Sequence, residues 1–247
     1  MADQFDLVIV GGGPGGYAAA FYGASAGLSV ALVEKDTIGG TCLNRGCIPA
    51  KAFLETAAAR RHAEHANEFG IATVVGDTNF ATAQARKQKI VDGLVKGLTG
   101  LVKVKKVTYL LGVGSLNADN SVTVTAADGA VSKISGRNVI LAAGSVPRTF
   151  PGFEPGGPIM TSDEVLMLDR IPQRIAVIGG GAIGCEFAST FADLGAQVTI
   201  LEGLPKILPG LDADLANVVV RSFQKKKIDI KTGVAVKSHT QIGRAHV

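Results

Sequence analysis

One strand–turn–helix–strand device appears twice in this chain and governs what it can fold into. Residues 5–35, FDLVIVGGGPGGYAAAFYGASAGLSVALVEK, and residues 174–203, RIAVIGGGAIGCEFASTFADLGAQVTILEG, share one order of parts. Each runs through an apolar strand, a glycine turn, a helix of small residues, a second apolar strand and an acidic residue. Gly11, Gly13 and Gly16 in the first copy, and Gly179, Gly181 and Gly184 in the second, fit G-x-G-x-x-G. The first glycine allows the tight turn, the second lets a pyrophosphate approach the backbone, and the third packs helix on strand. The helix start then offers free N–H groups and the positive end of its dipole to phosphate oxygens. Gly180, Ala182 and Ile183 complete the second turn as candidate contacts.

A lone glycine motif says little, but both copies come with context. Glu34 follows Gly11 by 34 − 11 = 23 positions, and Glu202 follows Gly179 by 202 − 179 = 23. Each carboxylate ends the second strand, where it can accept hydrogen bonds from ribose hydroxyls. Two dinucleotide sites are expected. Glu202 would repel a 2′-phosphate, and no arginine follows it in EGLPK, which favours NAD(H) over NADP(H). Lys206 is the nearest cation.

Between the copies stands GGTCLNRGCIPAK, residues 39–51, with two of the chain's three cysteines, Cys42 and Cys47. Structural zinc sites use shorter spacings and two further ligands, and the histidines at 62, 65, 239 and 246 form no such cluster. No metal site is expected. On a regular helix, residues five apart lie about 8.5 Å apart at Cα, beyond the reach of a disulfide. Gly46 and Pro49 permit or impose the distortion that closure needs. A ring this small adds little stability, so the pair points to redox function in a cytosolic chain.

The sequence has 247 residues, enough for two ordinary domains, and its 47% hydrophobic content marks it as globular. Its 32 glycines, lack of tryptophan and 5% aromatic content suit an α/β protein. Net charge is a mild +4. The basic runs at 103–106 and 225–227 lack interleaved aromatics for base stacking, so no nucleic acid partner is expected. The uncharged stretch from Leu7 to Val33 includes GGGPGG, which would break a membrane helix. The start, MADQFD, is not a signal peptide. A cytoplasmic location without membrane contact follows as the default.

AKAFLETAAARRHAEHANEFG is expected to form a helix stopped by Gly70. A second helix covers FATAQARKQKIVDGLVKGLTGLVK, with Ile90, Leu94, Leu98 and Leu101 as its core stripe. VTYLLGVGSL, SVTVTAADG and AVSKIS suggest short strands of an antiparallel meander, and RNVILAAGS a further strand. The Pro- and Gly-rich residues 148–158 are expected to link a domain at 1–147 to a second, incomplete one at 159–241.

A redox pair set between two dinucleotide folds resembles the pyridine nucleotide-disulfide oxidoreductases. Within them, CLNRGCIPAK looks most like the dihydrolipoamide dehydrogenase branch, whereas glutathione and mercuric reductases usually show CVNVGCVP. The resemblance implies FAD on the first Rossmann-like fold and NAD on the second. By it, Glu34 holds the FAD ribose, while Gly40, Thr41 and Cys42 line the flavin. Cys42 is the interchange thiol and Cys47 the thiol nearest the flavin. Lys51 sits beside flavin N5, paired with Glu186. Gly114, Ala143, Gly144 and Ser145 match further FAD contacts. The implied reaction oxidises dihydrolipoamide on a lipoyl-bearing subunit of a 2-oxo acid dehydrogenase complex or glycine cleavage system, by a homodimer. Arg45 departs from the usual valine and Ala50 from the usual serine. The family's C-terminal dimer domain, with its His-Glu pair, has no match here, and IGRAHV (242–247) is expected to be a non-native tail. A glutathione- or mercuric-reductase-like NAD(P)H-disulfide oxidoreductase, and an N-terminal fragment that binds dinucleotides without turnover, are the alternative expectations.

Overall fold

Two uninterrupted apolar runs set the centre of the first sheet. The structure, a computed structural model, describes residues 3–240. The expected tail at 242–247, and His246 in it, lie outside the described residues. β1 (Asp3–Val10) and β2 (Val30–Glu34) pair in parallel, Leu7 opposite Val30 and Val10 opposite Val33. All five β2 residues are buried, as for a parallel strand covered on both faces. Between them runs α1 (Pro14–Ser25), which has proline in its first turn and buries Gly16, Ala20 and Gly23.

The chain forms two compact units. One holds the residues up to Pro49 with Gln88–Val146. Its sheet runs β3-β2-β1-β6-β5-β4, with β3 (Thr108–Leu111), β4 (Val113–Leu116), β5 (Ser121–Thr125) and β6 (Val131–Leu141). β3, β2, β1 and β6 are parallel, while β5 and β4 continue from β6 as an antiparallel meander. Two helices follow β2. α2 (Gly40–Arg45) is short, and α3 (Cys47–Glu64) begins in this unit and passes into the other.

Three expectations need correcting here. AVSKIS and RNVIL are one strand, β6, which pairs with β5 over residues 131–135 and with β1 over residues 134–141. Gly136 hides this in the sequence. It looks like a turn residue, yet a Cβ there would lie 2.8 Å from Val8 Cγ2, so glycine is required by close packing. VTYLLGVGSL splits at Gly112, where a Cβ would lie 2.7 Å from the Thr125 carbonyl oxygen. On α4 (Phe80–Val104), the buried stripe is Val91, Leu98 and Val102 with Val95 beside it; Leu94 and Leu101 are exposed. Both stripes satisfy helical spacing, and only contact with the sheet decides between them.

The other unit holds Ala50–Lys87 and the residues from Pro147 onward. The body of α3 packs on the start of α4 through stacked Phe53 and Phe80, with Leu166 and Leu194 in the same core. α3 ends before Glu68 and Phe69, and the turn is closed by Gly70 at φ +76°. α5 (Ser162–Val165) is one turn long, fixed by a capping box between Thr161 and Glu164. The second device follows as β7 (Arg174–Ile178), α6 (Ala182–Asp193) and β8 (Gln197–Glu202), then α7 (Ala213–Lys225) and β9 (Asp229–Thr232). These strands form a parallel sheet, β7-β8-β9. Asp193, at the end of α6, accepts from both Arg61 and Lys226, which ties α3 and α7 to it. Among the described residues no helix is long and apolar enough to cross a membrane.

Candidate functional site

In the first unit the glycine turn lies at the carboxyl end of β1, where the strand order reverses between β2 and β6. Such switch points in α/β sheets are where ligands bind. Gly11 has φ +109°, and a Cβ there would meet the Ala142 carbonyl oxygen at 2.1 Å. Gly13, the N-cap of α1, is extended, and a Cβ there would have only Gly40 Cα nearby, at 3.8 Å. Space is open where a pyrophosphate would need it. A Cβ on Gly16 would lie 1.7 Å from the Gly11 carbonyl oxygen. The three glycines thus serve a turn, an open approach and close packing.

The second unit repeats this. Gly179 has φ +106°, Gly181 is extended with nothing within 4 Å of a built Cβ, and a Cβ on Gly184 would lie 2.1 Å from the Gly179 carbonyl oxygen. Ala182 and Ile183 are exposed at the start of α6. The copies differ at their first glycines. Gly11 abuts the residue after β6, whereas among the described residues β7 has a neighbouring strand on one side only.

Both acidic residues are buried, and both are fixed by the same pair of backbone donors. The Gly12 N–H donates to Glu34 Oε2 at 2.6 Å and the Asp36 N–H to Oε1 at 2.9 Å. In the second unit the Gly180 N–H donates to Glu202 Oε2 at 2.6 Å and the Leu204 N–H to Oε1 at 2.8 Å. Each oxygen keeps acceptor capacity for a ribose hydroxyl. Gly12 is a residue that sequence reasoning missed. Its signal is the triple glycine in each copy, because a Cβ on Gly12 would press on Glu34 at 3.0–3.2 Å. Lys206 Nζ donates to the Leu211 carbonyl at 2.9 Å, and Glu202 lines a cavity of about 360 Å³ with Gly179, Phe150, Phe153 and Lys237. The residues 148–158 therefore help to wall the second site.

The redox stretch is fastened to the first glycine turn. The Gly39 N–H donates to the Gly12 carbonyl at 2.8 Å, and a Cβ on Gly40 would lie 2.7 Å from Gly13 Cα. Asn44 Nδ2, also missed from the sequence, donates to the carbonyls of Thr37, Ile38 and Gly40 and so holds the loop before α2. Cys42 lies in α2 with Thr41 exposed beside it, and Cys47 opens α3, whose N-terminal dipole favours negative charge. The backbone break that a closed pair needs sits at Gly46, which ends α2 directly before Cys47 opens α3. Cys42 is half-buried and Cys47 exposed. Gly114 packs under the ends of β1 and β2, against Val10 and Val33, while Ala143, Gly144 and Ser145 follow β6 and are exposed. Lys51, one turn beyond Cys47 on α3, has its Nζ 2.5 Å from Glu186 Oε1, the pairing the family resemblance implies.

Cys185 behaves otherwise. It is buried, its thiol donates to the Gly180 carbonyl at 3.4 Å, and burial, with a smaller effect from the Glu202 charge, pushes its pKa up to about 11. At pH 8 about one such thiol in a thousand is ionised. Brief alkylation of the reduced native protein at that pH should therefore label Cys42 and Cys47 and spare Cys185 until denaturant is added. Peptide mass spectrometry reads the outcome, and equal labelling of all three would contradict the assignment.

The geometry leaves room for a dinucleotide at each glycine turn. The family model described as pyridine nucleotide-disulphide oxidoreductase matches residues 5–246. The dihydrolipoyl dehydrogenase of Chlamydia pneumoniae is 41% identical over 236 residues, 96% of this chain and 51% of that protein. One from Bacillus subtilis is 40% identical over 96% of this chain and 52% of its own length. Among solved structures, LpdA from Mycobacterium tuberculosis superposes with a TM-score of 0.89 at 28% identity, covering 98% of this chain and 54% of that one. The HOCl-induced flavoprotein disulfide reductase RclA from Escherichia coli gives 0.79 at 29% identity, over 96% and 51%. The chain spans about half the length of the relatives it matches.

Proposed function

The chain belongs to the pyridine nucleotide-disulphide oxidoreductases, whose members use FAD and NAD, and from that premise we propose that it comes from a dihydrolipoamide-oxidising enzyme. The observation that carries the reading is the fastening of the Cys42–Cys47 stretch onto the first glycine turn, through Gly39–Gly12 and Gly40–Gly13. In this reading FAD lies on the first turn, which Gly11 and Gly16 shape, with Gly13 leaving room for its diphosphate and Glu34 accepting from its ribose, and NAD lies on the second, with Gly179, Gly181, Gly184 and Glu202 in the same roles.

In the oxidised enzyme Cys42 and Cys47 share a disulfide. A substrate thiolate attacks the Cys42 sulfur; an S–S bond forms to substrate, the Cys42–Cys47 bond breaks, and Cys47 leaves as a thiolate. The second substrate thiol, deprotonated by a base, attacks the substrate sulfur of that mixed disulfide and releases Cys42. Dihydrolipoamide leaves as the cyclic disulfide, and its two electrons remain on the cysteine pair. Bound FAD supplies the two-electron relay from that pair to NAD⁺. Lys51, its ammonium held by Glu186, is assigned as the cation that favours the electron-rich reduced cofactor. The partner is a lipoyl-bearing subunit of a 2-oxo acid dehydrogenase complex or glycine cleavage system, and the full-length protein acts as a homodimer in the cytosol, where thiols stay reduced. The test is NADH formation from dihydrolipoamide and NAD⁺ by the flavin-loaded full-length protein. Loss of all dithiol dependence would sink the reading.

The second site gives its own prediction. Glu202→Ala removes the ribose acceptor and leaves the Gly180 and Leu204 N–H groups without their partner, so NADH affinity should fall about tenfold. NADPH, no longer repelled, should lose less. Titration of both cofactors checks this, and an unchanged NADH/NADPH ratio would refute the role of Glu202.

A further inference from the structure

Arg45 stands between the two cysteines, in a position the proposed chemistry does not use, and its contacts lead away from them. Its Nη2 donates to Asp36 Oδ2 at 2.9 Å. The backbone N–H of the same Asp36 donates to Glu34 Oε1 at 2.9 Å, and Gly12 holds the other oxygen at 2.6 Å. Glu34 is 7% exposed, so these amides, not water, set the direction of its carboxylate.

We propose that Arg45 is a positioning residue, which couples the redox helix α2 to the carboxylate that holds the FAD ribose. The inference rests on the reading of the first unit as the FAD site. Arg45 and Asn44, adjacent at the end of α2, divide the work. Asn44 closes the 37–40 loop through three carbonyls, whereas Arg45 reaches back one residue further, to Asp36. Thr37 Oγ1 makes only a long 3.4 Å contact to the other Asp36 oxygen, and the Tyr109 hydroxyl reaches the Asp36 carbonyl at 3.5 Å. Arg45 therefore provides the short side-chain tether on the residue whose amide aims Glu34. Its ion pair is half exposed, at 44% and 53% for the two side chains, so the coupling is modest and sensitive to salt. Because Asn44 keeps the loop closed alone, the fold tolerates loss of Arg45.

The experiment measures FAD affinity of the flavin-stripped protein by quenching of flavin fluorescence, for wild type, Arg45→Val, Glu34→Gln and the double variant. Arg45→Val should weaken FAD about threefold at low salt. Arg45→Lys should restore most of that, and the difference should fade at high salt. In the Glu34→Gln background the same change should have no further effect, a readout that general loosening of the loop would not give. Equal loss in both backgrounds, or no loss in either, would overturn the proposal. Failure of the wild-type protein to bind FAD would instead overturn the functional reading itself.

Discussion

Gly16→Ala abolishes flavin retention, whereas Gly184→Ala keeps the flavin and loses NAD. That is the expected result for two copies of one device in separate compact units. A Cβ on Gly16 would lie 1.7 Å from the Gly11 carbonyl oxygen, and one on Gly184 2.1 Å from that of Gly179. Neither neighbour can rotate away, since both are backbone, so α1 or α6 must lift off its sheet. Overpacking of this kind costs about 3 kcal/mol, the upper end of the usual range. For a chain of this size that corresponds to a Tm lowered by about 6–12 °C. Gly15→Ala is the control, because a Cβ there meets only the Ala142 side chain at 3.9 Å. It should fold with a Tm at or slightly above wild type, alanine being the better helix former. Gel filtration followed by the flavin absorbance ratio, with NAD titration and thermal melts, checks all three. Flavin retained by Gly16→Ala at wild-type level would refute the packing role of the third glycine.

What was legible in the sequence was whatever depends on backbone conformation. Glycine spacing reports positive φ and close approach directly, so Gly11, Gly16, Gly179 and Gly184 could be placed from the letters alone, and the 23-residue interval placed Glu34 and Glu202 at strand ends. What was not legible depends on which neighbour a residue meets. Ile90, Leu94, Leu98, Leu101 and Val91, Val95, Leu98, Val102 are both good helical stripes, and the choice rests on how α4 meets the sheet. Gly136 has the look of a turn because its real constraint, Val8 on the adjacent strand, is more than a hundred positions away. Asn44 and Gly12 act through backbone carbonyls and amides, which have no letter of their own. Arg45 was visible only as a departure from a family habit. Its partner, Asp36, lies in a loop whose path the sequence does not state.

The cysteine pair gives the other large effect. Cys47→Ser should lower dihydrolipoamide-dependent turnover of the full-length enzyme by about a thousandfold or more, since a hydroxyl can neither form the disulfide nor leave as a thiolate. Electron transfer from NADH to an artificial dye acceptor, which does not need the pair, should survive. That split separates a chemical role from a structural one. Cys47 is exposed at the start of α3, and serine there removes no buried contact and is a good residue for a helix start. Flavin content and Tm should therefore stay near wild type. Cys42→Ser should also lose dithiol turnover, but for a different reason. It retains Cys47 but loses the sulfur through which substrate is captured. Trapping experiments distinguish the two, because a substrate-mimicking disulfide should form a stable mixed disulfide with Cys42 in Cys47→Ser. Cys185 should form none in either variant, since its raised pKa keeps it protonated under the same conditions. Turnover of Cys47→Ser at the wild-type rate would mean that the pair is not the redox centre.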